Sequence, residues 1–443
     1  MIPELKKIGP PAIKWPTAKN HIPAERTSSG IRVDVPVVAG NKLIVGKIGC
    51  GKTTLVKKMI SADIDDEDTY LFGFEVKQGD YSEPFMRPGG LIISYRDIPD
   101  KKEKMFKWGM IKEIKESEDP ESEVKKMAAF LTRHLKKDPG KEIWAQGAAE
   151  TFEGFMNTII HCVDGTPSNY DVVQRIRTMS TVSLLKFMSH YKPNKSLLEK
   201  YYHFDCRWGV DNSEETKRKL SEYKIPQVGS DILVFLQNML SSFSGSFLSK
   251  DGQHTIKGWL SGEYGRTLFL SYDLSKKDVM TIFAVYFLQS IILERISARV
   301  DKSKRILMAL DEVPEIGQEF MLEQGVTVGR ENRLEIIVST QSLEKMYAIA
   351  PDLNPSKTEH YTNAMLAGFT TYACFQAGDP YTINTFQKFF GNRTKLPASR
   401  YSTTGNLVVS PIVTDEDFAT LHEGECYIKI GASEPERLHI IRT

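Results

Sequence analysis

The sequence has little cysteine, no apolar run of membrane length and almost no net charge. Its five cysteines are scattered over 443 residues without a C-x-x-C spacing, which argues against a disulfide framework and against a zinc site. No segment reaches the ~20 apolar residues of a membrane span. The nearest approach, 279–293, is interrupted by Gln289 and Ser290 and predicts a buried core helix. The net charge of +1 means that any surface for nucleic acid must be local.

One glycine-rich segment carries a complete phosphate-binding pattern. Residues 46–53 read G-K-I-G-C-G-K-T and match G-x-x-x-x-G-K-[ST] at every fixed position. The apolar run 41–45 before them reads as a buried strand, and residues 54–60 after them are apolar at helical spacing. This order places backbone N–H groups and a helix N-terminus around a phosphate. The alternative is a chance glycine turn with a surface lysine.

The pattern assigns a role to the residues at the end of this loop. Lys52 would reach the β- and γ-phosphates of ATP, and the hydroxyl of Thr53 would bind Mg²⁺. The residues expected to bind the nucleotide are Gly46, Gly49, Cys50, Gly51, Lys52, Thr53 and Thr54.

A second nucleotide-binding element is predicted at the end of the apolar run 305–310, where Asp311 and Glu312 follow. Asp311 would orient the ligands of Mg²⁺, and Glu312 would position and polarise the attacking water. Two acids at the end of a strand are common on their own. The complete phosphate loop upstream is what favours the catalytic interpretation.

Two further residues complete the expected catalytic site. Gln341 follows the predicted strand 334–339, where it would sense the γ-phosphate or its attacking water. Arg330 precedes that strand, and an arginine from a neighbouring subunit can stabilise charge in the transition state. The simpler alternatives are a hydrogen-bonded strand-end amide for Gln341 and a surface ion pair for Arg330.

Short apolar segments alternate with helical segments over most of the chain. This pattern predicts an α/β fold with a mostly parallel sheet covered on both faces. In the segment 146–248 the pattern is helical and no strand signal competes. We therefore expect a discontinuous nucleotide-binding domain over 1–145 and 249–443, and an all-α insertion domain over 146–248.

Three helical segments are expected inside the insertion, over 148–162, 172–191 and 232–247. The segment 101–145 mixes Lys and Glu densely and is interpreted as a solvated helical face. Residues 1–30 are rich in proline and polar side chains, and we expect them to run over the surface.

The motifs, taken in order, resemble those of the conjugative coupling proteins of type IV secretion, the TraG/TraD group of the HerA–FtsK superfamily. The ordered set covers roughly residues 30–435 and is far more specific than the phosphate loop alone. Beside that loop, the segments that carry the resemblance are 70–81, 144–152, 256–270, 310–314, 329–330 and 339–342.

The resemblance implies a RecA-like P-loop motor domain with an inserted all-α domain, and an ATPase that uses ATP and Mg²⁺. The site residues named above keep their roles, with Arg330 acting on the phosphate loop of a neighbouring subunit. Family members form rings, typically hexamers, and deliver DNA with bound proteins to a secretion channel. The implied partners are other copies of the chain, DNA bound without sequence readout and expected to be single-stranded, and relaxase and secretion-channel proteins.

Two departures from the family pattern bear on these expectations. Family members usually carry an N-terminal transmembrane anchor, and this sequence has neither a membrane-length run nor a signal-peptide core. We therefore expect a cytoplasmic protein, at most peripheral at the inner face of the membrane, with a separate membrane-anchored partner. In the segment 75–80, Glu75 stands where aspartate is usual, and Gln78 is an extra residue.

Two other functions remain open. One is a HerA-like motor for DNA processing, which the missing anchor favours and the long helical insertion opposes. The other is a protein-substrate receptor or assembly ATPase that uses nucleotide only to order a ring. Slow ATP turnover that DNA leaves unchanged would favour this last function.

Overall fold

A computed structural model describes residues 15–133, 140, 142–241, 246–248, 252–297, 303–317, 320–349, 355–395 and 408–441. Two units are distinguished by their internal contacts. The first unit comprises residues 1–86 and 292–443, and the second comprises residues 87–291.

Strands occur in both units, and all of them are short. In chain order they are β1 (Asn20–Arg26), β2 (Arg32–Val37), β3 (Lys42–Val45), β4 (Thr69–Glu75), β5 (Leu91–Ser94), β6 (Thr267–Ser271), β7 (Arg305–Asp311), β8 (Leu334–Thr340), β9 (Thr371–Cys374), β10 (Asn392–Lys395), β11 (Val408–Pro411), β12 (Glu425–Ile430) and β13 (Glu436–Ile440).

The helices range from single turns to 21 residues. In chain order they are α1 (Lys52–Asp63), α2 (Ser82–Phe85), α3 (Met110–Lys115), α4 (Pro120–Arg133), α5 (Glu142–Cys162), α6 (Asn169–Thr178), α7 (Thr181–Met188), α8 (Lys195–Tyr202), α9 (Arg207–Val210), α10 (Glu214–Glu222), α11 (Gln227–Ser241), α12 (Ile256–Ser261), α13 (Lys277–Ile296), α14 (Leu322–Val328), α15 (Pro355–Ala367), α16 (Pro380–Phe390) and α17 (Asp415–Ala419).

Nine strands of the first unit form one sheet, in the order β2-β1-β13-β12-β9-β3-β8-β7-β4. The strands from β9 to β4 pair in parallel, and those from β2 to β9 pair antiparallel. Every residue of β3, β4 and β8 is buried, as expected for parallel strands covered on both faces. Because β3, β7 and β8 are parallel, the segments that follow them meet at one edge of the sheet. The predicted α/β architecture is confirmed.

The second unit combines one parallel strand pair, β5 with β6, and a large set of helices. Among its described residues, the stretch 146–248 contains helices and no strand. Trp108 is buried against Phe283 and Phe287, with ring centroids 5.7 and 5.4 Å away. One described helix, 274–296, has the length and composition to cross a membrane, and 78% of its apolar window is buried within the protein. This burial confirms the predicted core helix.

Three local predictions were wrong. The segment 172–191 is not one helix, because Ser180 caps a new helix, α7, by accepting a hydrogen bond from the backbone N–H of Ser183.

The segment 101–145 is not simply a solvated face, since Glu113 and Glu123 are 2% and 8% exposed. Within residues 1–30, of which 1–14 lie outside the described residues, β1 pairs on both sides, with β2 and β13.

Candidate nucleotide site

The phosphate loop connects β3 to α1 and is built around three glycines. Gly46, Gly49 and Gly51 have φ angles of 158°, 80° and 112°, a backbone region that other residues rarely adopt. A Cβ atom on Gly46 would lie 2.6 Å from Cβ of Phe375, so the loop is also packed closely against the segment after β9. The three glycines are therefore required for the backbone conformation of the loop and for its close packing, as well as for phosphate binding.

The loop presents unused hydrogen-bond donors. Within the described part of the chain, the backbone N–H groups of Ile48, Gly49 and Gly51 have no acceptor. The first turn of α1 contains no acidic residue that would repel an anion. Such a ring of N–H groups at a helix N-terminus fits a phosphate group.

Lys52 is folded onto this loop. Its ammonium group donates hydrogen bonds to the carbonyl oxygens of Gly46, at 2.6 Å, and Lys47, at 2.9 Å, and the residue is 8% exposed. The neighbouring thiol of Cys50 is buried, and burial raises its pKa although the charge of Lys52 partly opposes the shift. Cys50 is thus a packing residue of the loop, while Thr53 and Thr54 are half-buried beside it.

Asp311 and Glu312 lie where β7 ends, at the same edge of the sheet. Asp311 is 9% exposed and accepts a hydrogen bond from the hydroxyl of Ser339, its register partner on β8. Burial raises the pKa of Asp311, and the charge of Lys52 lowers it in part. The opposing influence of Lys52 shows that the phosphate loop and the end of β7 share one electrostatic environment.

Glu312 has an unusual backbone conformation for a non-glycine residue, with φ 48° and ψ 48°. Its Oε1 atom accepts the backbone N–H of Gln341 at 3.2 Å. Burial raises the pKa of Glu312 as well. A raised pKa makes a carboxylate a better proton acceptor near neutral pH, and a strained backbone is a common feature of functional sites.

Gln341 contacts Glu312 through its backbone N–H and also through its side-chain amide, and both hydrogen bonds lower the pKa of Glu312 in part. The amide oxygen accepts a hydrogen bond from the ammonium group of Lys345, at 3.3 Å. The side chain is half-buried at the end of β8. The structure thus places Gln341 beside Glu312, and its role as a sensor of the γ-phosphate stays a prediction.

A loop after β4, residues 76–82, adds two charges to the site that were not among the predicted site residues. The electrostatic influence of Asp80 raises the pKa of Asp311, and that of Lys77 lowers it. Asp80 also lies 3.6 Å from the ammonium group of Lys57 on α1. The segment 75–80 was noted in the sequence, and the acid–lysine–acid spacing was the available signal.

The buried side chain of Glu75 stabilises that loop through hydrogen bonds. Its buried carboxylate accepts hydrogen bonds from the backbone N–H groups of Gly79, Tyr81 and Ser82 at 2.8–3.1 Å, and from the Ser82 hydroxyl at 2.7 Å. Four donors around one carboxylate make this an unusually complete hydrogen-bond set. Glu75 therefore shapes the loop that carries Lys77 and Asp80.

Arg330 is not part of this cluster. It lies in the turn before β8, at the amino edge of the sheet, whereas the phosphate loop, Asp311 and Glu312 lie at the carboxyl edge. Seven residues of β8 separate the two edges by about 20 Å. Its side chain is exposed and forms no ion pair with any described residue, so the simpler interpretation as a surface ion pair is not supported.

Arg330 lies on the wall of a charged cavity of about 820 Å³. Behind it, Arg305 bridges two buried acids, Glu335 at 2.9 Å and Asp63 at 2.7 Å, and Lys42 lies 3.1 Å from Glu335. Burial tends to raise the pKa of Glu335, but the charges of Lys42 and Arg305 outweigh it and the pKa is lowered. These ion pairs connect β3, α1, β7 and β8 at the amino edge of the sheet.

The residues at the carboxyl edge fit a nucleotide with Mg²⁺. Burial disfavours the charged forms of the Asp311 and Glu312 carboxylates. A bound divalent cation would stabilise these charged forms. Among the described residues, no cluster of three or more His, Cys, Asp or Glu side chains could hold a metal. Mg²⁺ typically binds one or two protein oxygens together with the phosphates of a substrate, and Thr53 and Asp311 would supply those oxygens here.

A family model described as the DNA-binding domain of type IV secretion-system coupling proteins matches residues 26–201 and 214–436. Among solved structures, the bacterial conjugative coupling protein TrwBdeltaN70, in a trigonal form with sulphate, is 17% identical with a TM-score of 0.67. That match covers 96% of this chain and 90% of TrwBdeltaN70. The plasmid coupling protein TrwB with ADP and Mg²⁺ is 16% identical with a TM-score of 0.64, over 91% of this chain and 85% of that one.

A more distant structure is VirB4 of Thermoanaerobacter pseudethanolicus. It is 12% identical, with a TM-score of 0.53, over 96% of this chain and 98% of VirB4. No curated protein matches the chain in sequence. At these identities the structures establish a common fold, and the role of each residue rests on the geometry described above.

Proposed function

The chain belongs to the family of type IV secretion-system coupling proteins, and on that premise we propose that it is an ATP-hydrolysing motor that moves DNA toward a secretion apparatus. The observation that carries the proposal is the cluster at the carboxyl edge of the first unit. There the phosphate loop with Lys52 lies beside Asp311 and Glu312, and Glu312 is tied to the end of the neighbouring strand. A purely structural nucleotide binder would not need the buried acid Glu312.

Each residue of the cluster has a defined task in this proposal. The loop N–H groups and Lys52 hold the phosphates of ATP. Thr53 and Asp311 would hold Mg²⁺, which supplies charge neutralisation at the phosphates when bound. Glu312, with its pKa raised by burial, accepts the proton of the attacking water. Gln341 keeps Glu312 in place through its backbone N–H and presents its amide beside the same water.

We further propose that the working form is a ring, expected to be a hexamer. Arg330 lies at the edge of the sheet opposite to its own phosphate loop, so it can complete only the site of a neighbouring copy. Head-to-tail contacts of this kind close into rings. The exposure of Arg330 supports this role.

The domain assignment is part of the proposal. Residues 1–145 and 249–443 act as the motor domain, and 146–248 as an all-α domain that engages proteins delivered with the DNA, such as a relaxase, and the secretion channel. DNA is bound through phosphates in the ring, without sequence readout and expected to be single-stranded. A near-neutral chain agrees with a local DNA surface. A peripheral location at the inner face of the membrane, beside a membrane-anchored partner, follows from the same role.

ATP hydrolysis by the purified chain tests the proposal, with no DNA, single-stranded DNA and double-stranded DNA as the three conditions. The Lys52→Ala variant is the negative control, because it lacks the ammonium group that contacts the phosphates. Stimulation by DNA that Lys52→Ala abolishes is the expected result. Turnover that DNA leaves unchanged would contradict a DNA motor and favour an assembly ATPase.

A further inference from the structure

The end of β8 carries a buried hydroxyl that the proposed mechanism does not use, that of Ser339. This residue is 0% exposed and follows the apolar residues 336–338 of the strand. A hydroxyl in such a place costs free energy unless it is hydrogen-bonded. The partner that satisfies it is Asp311, at the end of the neighbouring strand β7.

Strand register brings these two side chains together. Asp311 and Ser339 are direct partners in the parallel pair of β7 and β8, so their side chains lie on the same face of the sheet. The Ser339 hydroxyl donates a hydrogen bond to Oδ1 of Asp311. An ionised carboxylate can only accept hydrogen bonds, so the proton in this contact belongs to the serine. The direction of the hydrogen bond is therefore fixed.

Asp311 has little other hydrogen-bond support. Within the described part of the chain, Ser339 is the sole hydrogen-bond donor to Asp311, and Oδ2 has none. By contrast, the buried carboxylate of Glu75 accepts four hydrogen bonds. Without the Ser339 hydroxyl, no hydrogen bond from a described residue would fix the orientation of the Asp311 carboxylate.

Tyr81 lies beside the same pair of residues. It is 0% exposed, and its hydroxyl forms no hydrogen bond with any residue that the structure describes. Burial raises the pKa of Tyr81 well above 10, the charge of Asp311 raises it further, and the nearby Ser339 hydroxyl lowers it in part. Tyr81 is therefore a neutral phenol, which is a weaker acceptor than a carboxylate, so Asp311 retains the serine proton.

The same strand end also contacts Glu312. The backbone N–H of Gln341 donates to Oε1 of Glu312 at 3.2 Å, and the hydroxyl of Thr340 lies 3.5 Å from the same atom. Both acids of the nucleotide site are thus contacted by residues at the end of β8, and Ser339 is the one that contacts Asp311. Groups that hydrogen-bond a metal-binding carboxylate orient it, and their loss typically lowers metal affinity about 10–100-fold.

We propose that Ser339 is a positioning residue of the nucleotide site. Its hydroxyl holds Oδ1 of Asp311, so that Oδ2 is left for Mg²⁺ or for one of the water ligands of Mg²⁺ when a nucleotide is bound. Ser339 acts through Asp311 and does not itself touch the nucleotide. The inference rests on the proposed function, because it needs a site that binds ATP together with Mg²⁺.

Binding of a fluorescent, non-hydrolysable ATP analogue to the full chain tests this role independently of turnover. Its affinity is measured in EDTA and over a series of Mg²⁺ concentrations. The variants are Ser339→Ala, which removes the hydroxyl, and Ser339→Thr, which keeps it. Ser271→Ala is the matched control, because Ser271 is likewise buried, at 7% exposure, at the carboxyl end of the parallel strand β6. Urea titration measures the stability of each variant.

In EDTA the unmodified chain and all three variants should bind the analogue equally. Ser339→Ala should need about tenfold more Mg²⁺ to reach half of the gain in affinity, whereas Ser339→Thr and Ser271→Ala should stay within about threefold of the unmodified chain. An unchanged Mg²⁺ requirement in Ser339→Ala, or an equal loss of affinity with and without Mg²⁺, would overturn the positioning role. So would a Ser339→Thr variant of normal stability that is as impaired as Ser339→Ala. An unmodified chain whose affinity does not respond to Mg²⁺ would instead contradict the nucleotide site on which the inference rests.

Discussion

Arg330 and Lys52 lie at opposite edges of one parallel sheet. Lys52 follows the carboxyl end of β3, and Arg330 precedes the amino end of β8, the strand that pairs with β3 in parallel. The two residues therefore cannot act together within one copy of the chain. In a ring, the amino edge of one subunit would face the carboxyl edge of the next. Arg330 of one subunit would then lie near the phosphate loop of its neighbour.

Replacing Arg330 with alanine should separate nucleotide binding from turnover. The side chain is exposed and distant from its own phosphate loop, so ATP affinity should stay nearly unchanged. Turnover should fall on the order of 10³-fold or more, which is the effect typical of arginines that act in trans. Titration with a fluorescent ATP analogue and a phosphate-release assay measure the two quantities. Arg393→Ala, at an exposed position on β10, is the control, and normal turnover by Arg330→Ala would contradict the role.

Glu312→Gln should bind ATP but hydrolyse it poorly. The change keeps the shape of the side chain and the acceptor for the N–H of Gln341, and removes only the proton-accepting charge. Loss of a general base typically lowers turnover by about 10²–10⁴-fold. Single-turnover kinetics with bound ATP measure this step directly. Glu315→Gln, three residues later, should turn over normally, and equal rates for the two variants would rule out Glu312 as the base.

Glu75→Ala should loosen the loop that carries Lys77 and Asp80. Three buried N–H groups and one hydroxyl would lose their acceptor, which predicts a loss of about 2–4 kcal/mol in the free energy of unfolding. The Mg²⁺ concentration needed for half-maximal turnover should also rise, because Asp80 and Lys77 act electrostatically on Asp311.

Denaturant titration and Mg²⁺ titration measure these two effects of Glu75→Ala. Glu434→Ala, in an exposed turn, is the matched control. Glu75→Asp should restore much of the stability, since it keeps the charge. A purely structural residue would lower stability and leave the Mg²⁺ requirement unchanged, and that result would contradict a positioning role.

Glu113 should make the second unit more stable in mild acid than in mild base. Its buried carboxylate accepts hydrogen bonds from Trp108 and from the backbone N–H groups of Ile256 and Lys257. Burial raises its pKa from 4.5 to about 7. Because the folded-state pKa lies above the unfolded one, the stabilising proton is fully bound below pH 4.5 and is lost as the pH rises through about 7.

Glu113→Gln stays neutral, so the free energy of unfolding of this variant should gain ~3 kcal/mol relative to the unmodified chain between pH 5 and pH 8. Urea titrations followed by tryptophan fluorescence at several pH values measure the difference. The exposed Glu118→Gln should follow the unmodified chain at every pH. Parallel curves for Glu113→Gln and the unmodified chain would show that Glu113 does not titrate in this range.

The parts of the fold and site that local sequence determines were predictable. The phosphate loop, β7 with its two acids and the strand before Gln341 are short patterns whose chemistry fixes their geometry. The role of Glu75 was not predictable, because it depends on where the turn 79–82 folds back. The same holds for Glu113 and Glu123, which look like members of a solvated charge run until tertiary packing buries them. The strand β1 was not predicted because it contains Pro23, which pairs with Asp34 of β2 and lies outside the segment 24–26 that pairs with β13.

Mixing two inactive variants tests most directly whether one ATP site is shared between neighbouring copies of a DNA-driven motor. Lys52→Ala subunits lack a working phosphate loop but retain Arg330, and Arg330→Ala subunits have the reverse defect. When the two are mixed with DNA and ATP, hydrolysis should reappear, because a phosphate loop from one meets Arg330 from the other. Mixtures that stay as inactive as each variant alone would contradict a site completed by the neighbour.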